Sequence, residues 1–205
     1  MPSNNQEIEV KFYITNLLRV QARLAELGAI VTQPRTHEIN LRLDTLNYDL
    51  TKEKRVLRLR QDTQIRLTYK GPGALLDGTL QRQEIEVSVS DFSKTLALLE
   101  ALGFQVALMY EKYRTALDLE GVEVSLDEMP FGSFVEIEGD DPEVIRLVTR
   151  QLQLNWEARV VNSYTGLFEE LRSALGLTFR DISFTNFAGI SVTPADINVS
   201  PADGG

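Results

Sequence analysis

Charged residues recur at every second position in one segment of this sequence after another, and this alternation constrains the fold more than any other feature. Residues 7–13 (EIEVKFY) are one example, in which Glu7, Glu9 and Lys11 alternate with apolar residues. Successive side chains of a strand point to opposite faces of a sheet, so each such segment predicts a strand with one charged and one apolar face. We predict eight such strands, over residues 7–13, 36–44, 56–61, 64–70, 81–89, 106–119, 122–128 and 133–138.

Helical patterns are few by comparison. Apolar residues at helical spacing, with capping residues before them, predict helices over about 16–27, 92–102, 142–153 and 161–175. The first two follow the first and the fifth predicted strand, and both end in Leu-Gly. We interpret the likeness of LAELGAIV (24–31) and LEALGFQV (99–106) as an internal repeat.

So few helices cannot cover the apolar faces of eight strands in an open, flat sheet. Closing the sheet on itself removes its edges and turns the charged faces inward or outward. With the charged faces inward, the helices would cover the apolar exterior. We therefore predict an α+β fold, an eight-stranded antiparallel closed β-tunnel with flanking helices. The alternative is an ordinary antiparallel sheet with a solvated charged face.

The 205 residues are enough for one domain with a real core, which we expect at residues 1–176. Residues 177–205 have few helical signals. Their last part, residues 191–205, is polar, contains Pro194 and Pro201, and ends in two glycines. We expect this C-terminal tail to be largely disordered.

Composition excludes several classes of function. The chain has no cysteine, which rules out disulfides, zinc–thiolate sites and thiol catalysis, and His37 is its only histidine. A net charge of −9 argues against broad nucleic-acid binding, although a local basic cluster can still bind a small anion. Residues 1–6 lack the apolar region of a signal peptide, and no run of about 18 apolar residues occurs. We therefore expect a cytoplasmic protein without a membrane partner.

Many buried charges of both signs are costly as pure structure, because each charge loses its hydration. The same charges suit a highly charged ligand and its metal ion. Arg and Lys bind phosphate oxygens, Arg often through paired hydrogen bonds, and carboxylates bind hard cations such as Mg²⁺ or Mn²⁺. An inward charged face therefore indicates a site for a phosphate-rich anion and a divalent metal.

A series of short motifs occurs in order along the chain. The signature Glu-x-Glu-x-Lys is present at residues 7–11, and Thr-Tyr-Lys-Gly-Pro is present at residues 68–72. One alternating motif alone is common, whereas the whole series in this order, over about residues 6–175, is specific. The other motifs of the series are Asn40 with Asp44-Thr45, Leu57-Arg58-Leu59-Arg60, Arg82-x-Glu84-x-Glu86, Lys112-x-Arg114, Asp127, Gly132 to Glu138, and Ser163-Tyr164. Together these motifs resemble those of the CYTH family, the triphosphate tunnel metalloenzymes.

The resemblance implies a tunnel that binds a triphosphate with Mg²⁺ or Mn²⁺, and it implies a role for each matching residue. The phosphate ligands would be Lys11, Arg58, Arg60, Lys70, Arg82, Lys112 and Arg114. The metal ligands would be Glu7, Glu9, Asp127, Glu136 and Glu138. Lys11 and Lys70 are the candidate catalytic residues, since a lysine or a second metal ion could activate water. Glu84 and Glu86 could bind the metal or pair with neighbouring Arg or Lys.

Several positions depart from the family pattern. Asn162 stands where a basic residue often precedes Ser-Tyr, and Arg159, about one helical turn earlier, could substitute for it. Arg42-Leu43 replaces the usual aromatic pair of the second strand, and Arg42 would extend the basic lining. Trp156 is the only tryptophan, and we interpret it as a packing residue rather than as a surface for an organic cation.

The expected function is metal-dependent hydrolysis of inorganic tripolyphosphate or of an organic triphosphate such as ATP or thiamine triphosphate. The alternative is a class IV-type adenylate cyclase, in which the ribose 3′-hydroxyl of ATP attacks the α-phosphorus and releases pyrophosphate. Residues 70–73, Lys-Gly-Pro-Gly, resemble cyclase-type members. A third hypothesis is a non-catalytic polyphosphate-binding module, against which the full set of carboxylates argues. A homodimer stays open, because nothing in the sequence determines the oligomeric state.

Overall fold

The computed structural model of the protein describes residues 6–76 and 79–204, and only the backbone of Gln6 and Glu7. The described strands are β1 (Gln6–Ile14), β2 (Ile30–Thr45), β3 (Val56–Gln61), β4 (Ile65–Lys70), β5 (Ala74–Leu76), β6 (Thr79–Ser88), β7 (Phe104–Leu119), β8 (Val122–Met129) and β9 (Gly132–Glu138). The described α-helices are α1 (Leu17–Glu26), α2 (Asp49–Lys52), α3 (Phe92–Ala101), α4 (Pro142–Gln151) and α5 (Tyr164–Leu175), and short 3₁₀ helices span Trp156–Ala158 and Pro194–Ile197.

Eight of the described strands form a closed antiparallel ring. The order around the ring is β1, β9, β8, β7, β2, β3, β4 and β6, and residues 80–83 of β6 pair back onto residues 6–9 of β1. The predicted closed antiparallel sheet is thus confirmed. One strand and one α-helix of the described residues were not predicted, and both are very short: β5 pairs only with β6, in a small hairpin, and α2 is a single turn.

Four of the five described α-helices, all except α2, begin at a side chain that caps a free N–H group. Asn16 accepts a hydrogen bond from the backbone N–H of Arg19 at the start of α1, and Asp91 accepts one from Lys94 at the start of α3. Gly176 ends α5 with a φ of 65°, a left-handed conformation that glycine adopts without strain. No helix in the described part of the chain is long and apolar enough to cross a membrane.

The apolar faces of the ring point outward and form the core together with the helices. α1 and α4 cover β1 and β7 to β9, where Phe12, Val124 and Ile137 are fully buried. A smaller patch around Leu59 lies beneath α3. Because the outer face holds the hydrophobic core, the inner face of the ring is left to the charged side chains.

The C-terminal segment does not behave as expected, because it packs on the ring and on α5. Ile182 donates its N–H to the carbonyl of Met109 at 2.9 Å, and its own carbonyl accepts from the N–H of Glu111 at 3.0 Å. Ile182, Phe187 and Ile197 are buried in one cluster with residues of α5. These apolar residues anchor the segment, but they are not spaced as in a helix or a strand, so the sequence pattern did not indicate an ordered segment.

The end of this segment is attached to the start of α1. The carboxylate of Asp203 accepts hydrogen bonds from the N–H groups of Thr15, at 2.9 Å, and Asn16, at 2.7 Å. Ala202 donates its N–H to the carbonyl of Tyr13 at 2.9 Å. The expectation of a largely disordered tail is therefore wrong for residues 177–204, the part of it that the structure describes.

Candidate functional site

A cavity of about 630 Å³ lies inside the ring, and side chains of both charges line it. The prediction that the charged faces point inward is confirmed. Asp127 does not belong to the lining, and the side chain of Glu7 lies outside the described residues. The predicted site residues that do line the cavity are Glu9, Lys11, Arg58, Arg60, Lys70, Arg82, Lys112, Arg114, Glu136 and Glu138.

Glu136 of β9 is the centre of one ion-pair network on this inner face. Its Oε1 lies 3.1 Å from Nζ of Lys11, and its Oε2 accepts a hydrogen bond from Arg114. Burial by itself would raise the pKa of Glu136, but Lys11 and Arg114 lower it well below its ordinary value. Burial would lower the pKa of Lys11, but Glu136 and Glu9 raise it. Lys11 is therefore a stable cation, which suits phosphate binding and does not suit a base that takes a proton from water.

Asp127 of β8 lies behind the cavity lining, with both carboxylate oxygens engaged. It accepts hydrogen bonds from Nζ of Lys112 at 2.7 Å, from Nε and Nη2 of Arg114 at 2.7 and 2.6 Å, and from the hydroxyl of Tyr164 at 2.8 Å. Burial, together with Asp127 and Glu136, raises the pKa of Tyr164 well above its ordinary value, so this hydroxyl stays a donor. Asp127 therefore orients two cavity cations, and the geometry does not favour the implied role of metal ligand.

Glu84 and Glu86 of β6 lie among the basic residues. Lys70 Nζ is 3.0 Å from Oε2 of Glu84. Glu86 accepts a hydrogen bond from the Thr68 hydroxyl at 2.8 Å, and its carboxylate oxygens lie between 3.4 and 3.8 Å from guanidinium nitrogens of Arg58, Arg60 and Arg66. Of the two roles left open for these glutamates, the structure favours pairing with cations.

Glu38 of β2 is a lining residue that none of the sequence motifs singles out. It is fully buried, and its cross-strand partner is Lys112 of β7. Burial would raise the pKa of Glu38, but Lys112, Arg114 and other cavity cations lower it below its ordinary value. The available signal in the sequence was its two-residue spacing from Asn40, which places the two side chains on one face of β2.

Tyr110 of β7 is a second lining residue without a motif. Its phenol lies close to the cavity cations, Arg58 foremost. Burial would raise the pKa of Tyr110, but the positive charges of Arg58 and Lys112 lower it. Tyr110 thus adds a polar group beside one of the predicted phosphate ligands.

The carboxylates at one side of the cavity fit a hard divalent cation by their chemistry. Glu9, Glu138 and Glu123 are successive cross-strand partners on β1, β9 and β8, and all three line the cavity. Like charges directly opposite each other destabilise an antiparallel sheet, and oxygen donors are what Mg²⁺ and Mn²⁺ prefer. In the described part of the chain, however, no three His, Cys, Asp or Glu side chains are already arranged to hold a metal ion.

Three residues singled out as departures from the family pattern, or as a substitute for one, line the cavity but have different hydrogen-bond partners. Arg42 lines it and donates to the Thr165 hydroxyl at 2.6 Å, which confirms that it extends the basic lining. Asn162 and Arg159 also line it, but Asn162 donates to Glu170 at 2.8 Å, and Arg159 to the carbonyl of Trp156 at 3.0 Å.

Trp156 packs between an aromatic ring and an arginine. Its ring centroid lies 6.2 Å from that of Phe12, in an edge-on arrangement, and 4.3 Å from the guanidinium carbon of Arg146. The interpretation of Trp156 as a packing residue is confirmed. His37, the only histidine of the chain, lies outside the cavity lining and is 2.7 Å from a carboxylate oxygen of Glu111.

Comparisons with known proteins agree with this architecture. Residues 5–158 match the family model described as the CYTH domain. A protein of Methanocaldococcus jannaschii, named "putative adenylate cyclase", is 29% identical over 134 residues, which cover 64% of this chain and 75% of that protein.

Solved structures share the fold. A "putative adenylate cyclase" from Vibrio parahaemolyticus has a TM-score of 0.69 and 21% identity, over 77% of this chain and 94% of that one. A Hippeastrum protein, whose description is a putative adenylyl cyclase with a dominant triphosphatase activity, has a TM-score of 0.59 and 18% identity, over 80% of this chain and 95% of that one.

Proposed function

Because this chain belongs to the CYTH domain family, we propose that it is a metal-dependent triphosphatase that hydrolyses inorganic tripolyphosphate or an organic triphosphate inside the closed sheet. The observation that carries the proposal is the concentration of cations in one cavity of a chain with a net charge of −9. The seven predicted phosphate ligands, Lys11, Arg58, Arg60, Lys70, Arg82, Lys112 and Arg114, all line this cavity. Such a local excess of positive charge suits a polyanion.

The cations would bind and orient the triphosphate chain. Arg114 and Lys112 are held by Asp127, so these two side chains are oriented before the substrate binds. Preorganised cations stabilise the charge that develops on phosphate oxygens and spend little energy on reorganisation during the reaction. Lys11, a stable cation, would neutralise charge rather than take a proton.

Glu9, Glu136 and Glu138 are the residues that we propose would hold a Mg²⁺ or Mn²⁺ ion. A bound divalent metal supplies additional positive charge to phosphate oxygens and can lower the pKa of a bound water molecule. Glu136 also pairs with Lys11 and Arg114, so a metal ion and these two cations would share its carboxylate.

An adenylate cyclase is the second candidate, and its support is the name of the Methanocaldococcus jannaschii relative. The description of the Hippeastrum structure joins a cyclase name to a dominant triphosphatase activity, which supports hydrolysis as the first candidate. Thiamine triphosphate is a less favoured substrate, because Trp156 is already packed against Phe12 and Arg146.

A paired assay of the purified protein with Mg²⁺ and then Mn²⁺ tests these proposals. Tripolyphosphate is supplied in one reaction and ATP in the other, and phosphate, pyrophosphate and cyclic AMP are measured. We expect phosphate release without cyclic AMP. Cyclic AMP with an equimolar amount of pyrophosphate would favour the cyclase instead.

A non-catalytic polyphosphate-binding module is distinguished by the variant Glu136→Gln. For an enzyme, this variant loses turnover and keeps anion binding. The matched control is Glu143→Gln on α4, whose side chain is 81% exposed and does not belong to the lining, and it should behave as the wild type. Unchanged turnover in Glu136→Gln would contradict the assignment of Glu136 to the metal.

A further inference from the structure

Two neighbouring side chains on the inner face of β2 are fully buried, Glu38, which lines the cavity, and Asn40, which is not among the lining residues. Their polar atoms have no hydrogen-bond partner among the described residues. The atoms concerned are both carboxylate oxygens of Glu38 and the amide nitrogen and oxygen of Asn40. A buried polar group without a partner costs about 1–3 kcal/mol, and a charged group costs more. Buried polar side chains of folded proteins are therefore almost always hydrogen-bonded, often to an ordered water molecule.

The surroundings of Glu38 explain why it is charged without being bonded. Nζ of Lys112 lies 3.7 Å from Oε2 of Glu38, and Nη1 of Arg60 lies 3.9 Å from Oε1. Both distances exceed a hydrogen bond, and Lys112 instead donates to Asp127 at 2.7 Å. The two cations thus attract the carboxylate across a gap and leave its oxygens available to another donor.

The chemistry of these atoms selects the ligand that would fill the gap. A carboxylate repels phosphate oxygens, so Glu38 is not itself a phosphate ligand. It accepts hydrogen bonds only, and Asn40 on the same face can both accept and donate. A molecule with O–H donors and an acceptor lone pair satisfies both side chains, and water is the smallest such molecule.

We propose that Glu38 and Asn40 hold the water molecule that attacks the terminal phosphorus of the bound triphosphate. This inference rests on the proposed hydrolytic function. Arg60 and Lys112, the two cations nearest to Glu38, are both proposed phosphate ligands. A terminal phosphate held by them would therefore lie beside the water. Glu38 orients the water by accepting a hydrogen bond from one of its O–H groups. This orientation points a lone pair of the water oxygen at the phosphorus.

The reaction balances without a further reactant. The water oxygen forms a bond to the terminal phosphorus, and the bond from that phosphorus to its bridging oxygen breaks. The pyrophosphate end of the chain leaves with the electron pair of the broken bond. The proton that the water loses passes to an oxygen of the released phosphate. Little covalent assistance is needed in such a loose transition state, so orientation is the main contribution of the residues.

The variant Glu38→Gln keeps the shape of the side chain and removes its charge. We expect kcat for tripolyphosphate to fall about 10- to 100-fold, because the water is no longer oriented. We also expect tripolyphosphate, titrated calorimetrically in EDTA, to bind at least as tightly as to the wild type, because a negative charge has left the cavity. A merely structural defect would weaken binding and turnover together.

The matched control is Glu111→Gln on the same pair of strands. Glu111 faces outward and accepts a hydrogen bond from the N–H of Phe184 at 2.7 Å, so this variant should keep the wild-type kcat and affinity. A Glu38→Gln variant with a kcat within about twofold of the wild type, or with a weaker affinity, would overturn the inference. If the wild type itself releases no phosphate, the proposed function fails first and the inference falls with it.

Discussion

Asp127 and Glu38 are both fully buried carboxylates on the inner side of the ring, and both lie close to Lys112, but they are bonded in opposite ways. Asp127 accepts hydrogen bonds from Lys112, Arg114 and Tyr164. Glu38 accepts none from the described residues. The difference shows that burial and charge do not by themselves separate a structural carboxylate from one available to a ligand. The number of partners that each oxygen already has is the better criterion.

We call a carboxylate saturated when both of its oxygens already accept hydrogen bonds, as those of Asp127 do. The largest effect is expected from removing the charge of this saturated carboxylate. We expect Asp127→Asn to lower the free energy of unfolding by about 3–5 kcal/mol, because Lys112 and Arg114 then lose the charge that compensates them. Urea unfolding followed by circular dichroism measures this change. A loss below about 1 kcal/mol would show that saturation is not a sign of structural importance here.

A second saturated carboxylate, Asp44, sharpens the comparison because it has no cation among its hydrogen-bond partners. It accepts from the N–H groups of Thr45, Leu50 and Thr51, at 2.8, 2.9 and 2.9 Å, and from the Thr51 hydroxyl at 2.7 Å. We expect Asp44→Asn to cost about 1–3 kcal/mol, since an amide has one acceptor oxygen in place of two. The same unfolding experiment tests it. A cost equal to that of Asp127→Asn would mean that the ion pairs of Asp127 add nothing.

The contribution of Asp44 also predicts a pH dependence. Burial would raise the pKa of Asp44, but its hydrogen bonds to Thr51, Leu50 and Thr45 lower it below the ordinary value. The folded pKa is thus below the unfolded value of about 3.9, so the stabilisation is fully present above that pH and is lost as the pH falls through the folded pKa. The stability difference between wild type and Asp44→Asn should therefore shrink as the pH is lowered from about 6 to about 3.

The smallest effect on stability is expected for the unsaturated carboxylate. Glu38→Gln removes no hydrogen bond to a described residue, and a lower desolvation cost offsets part of the lost attraction to Lys112 and Arg60. We expect the free energy of unfolding to change by less than about 1 kcal/mol. A loss comparable to that of Asp127→Asn would remove the distinction between the two carboxylates.

The sequence predicted the ring and most of its lining because a strand period of two determines which residues share a face. The alternation in residues 7–13 and the series of CYTH motifs led to the closed antiparallel sheet. The same period puts Glu38 and Asn40 on one face, although no motif drew attention to Glu38. Both side chains lack hydrogen-bond partners within the described part of the chain because of their distances to neighbouring groups, such as those of Glu38 to Lys112 and Arg60. The alternation of residues along a strand does not determine these distances.

Two other features depend on contacts between distant parts of the chain. Asp127 is saturated partly by Tyr164, which lies 37 residues later, so its motif position alone suggested a metal ligand. The C-terminal segment is held by single apolar residues such as Ile182 and by the carboxylate of Asp203. Its polar composition suggested disorder, but a few well-placed anchors are enough to order a segment without periodic structure.

The central claim is that the cavity cations bind a triphosphate, and calorimetric titration of tripolyphosphate in EDTA tests it most directly. We compare the wild type with the double variant Arg58→Gln/Arg60→Gln, and with Lys52→Gln/Lys94→Gln, which removes two exposed charges from outside the cavity lining. The account predicts saturable binding to the wild type and to the surface variant, and an affinity at least about 100-fold lower for the cavity variant. Equal affinities in all three proteins, or no binding to the wild type, would contradict it.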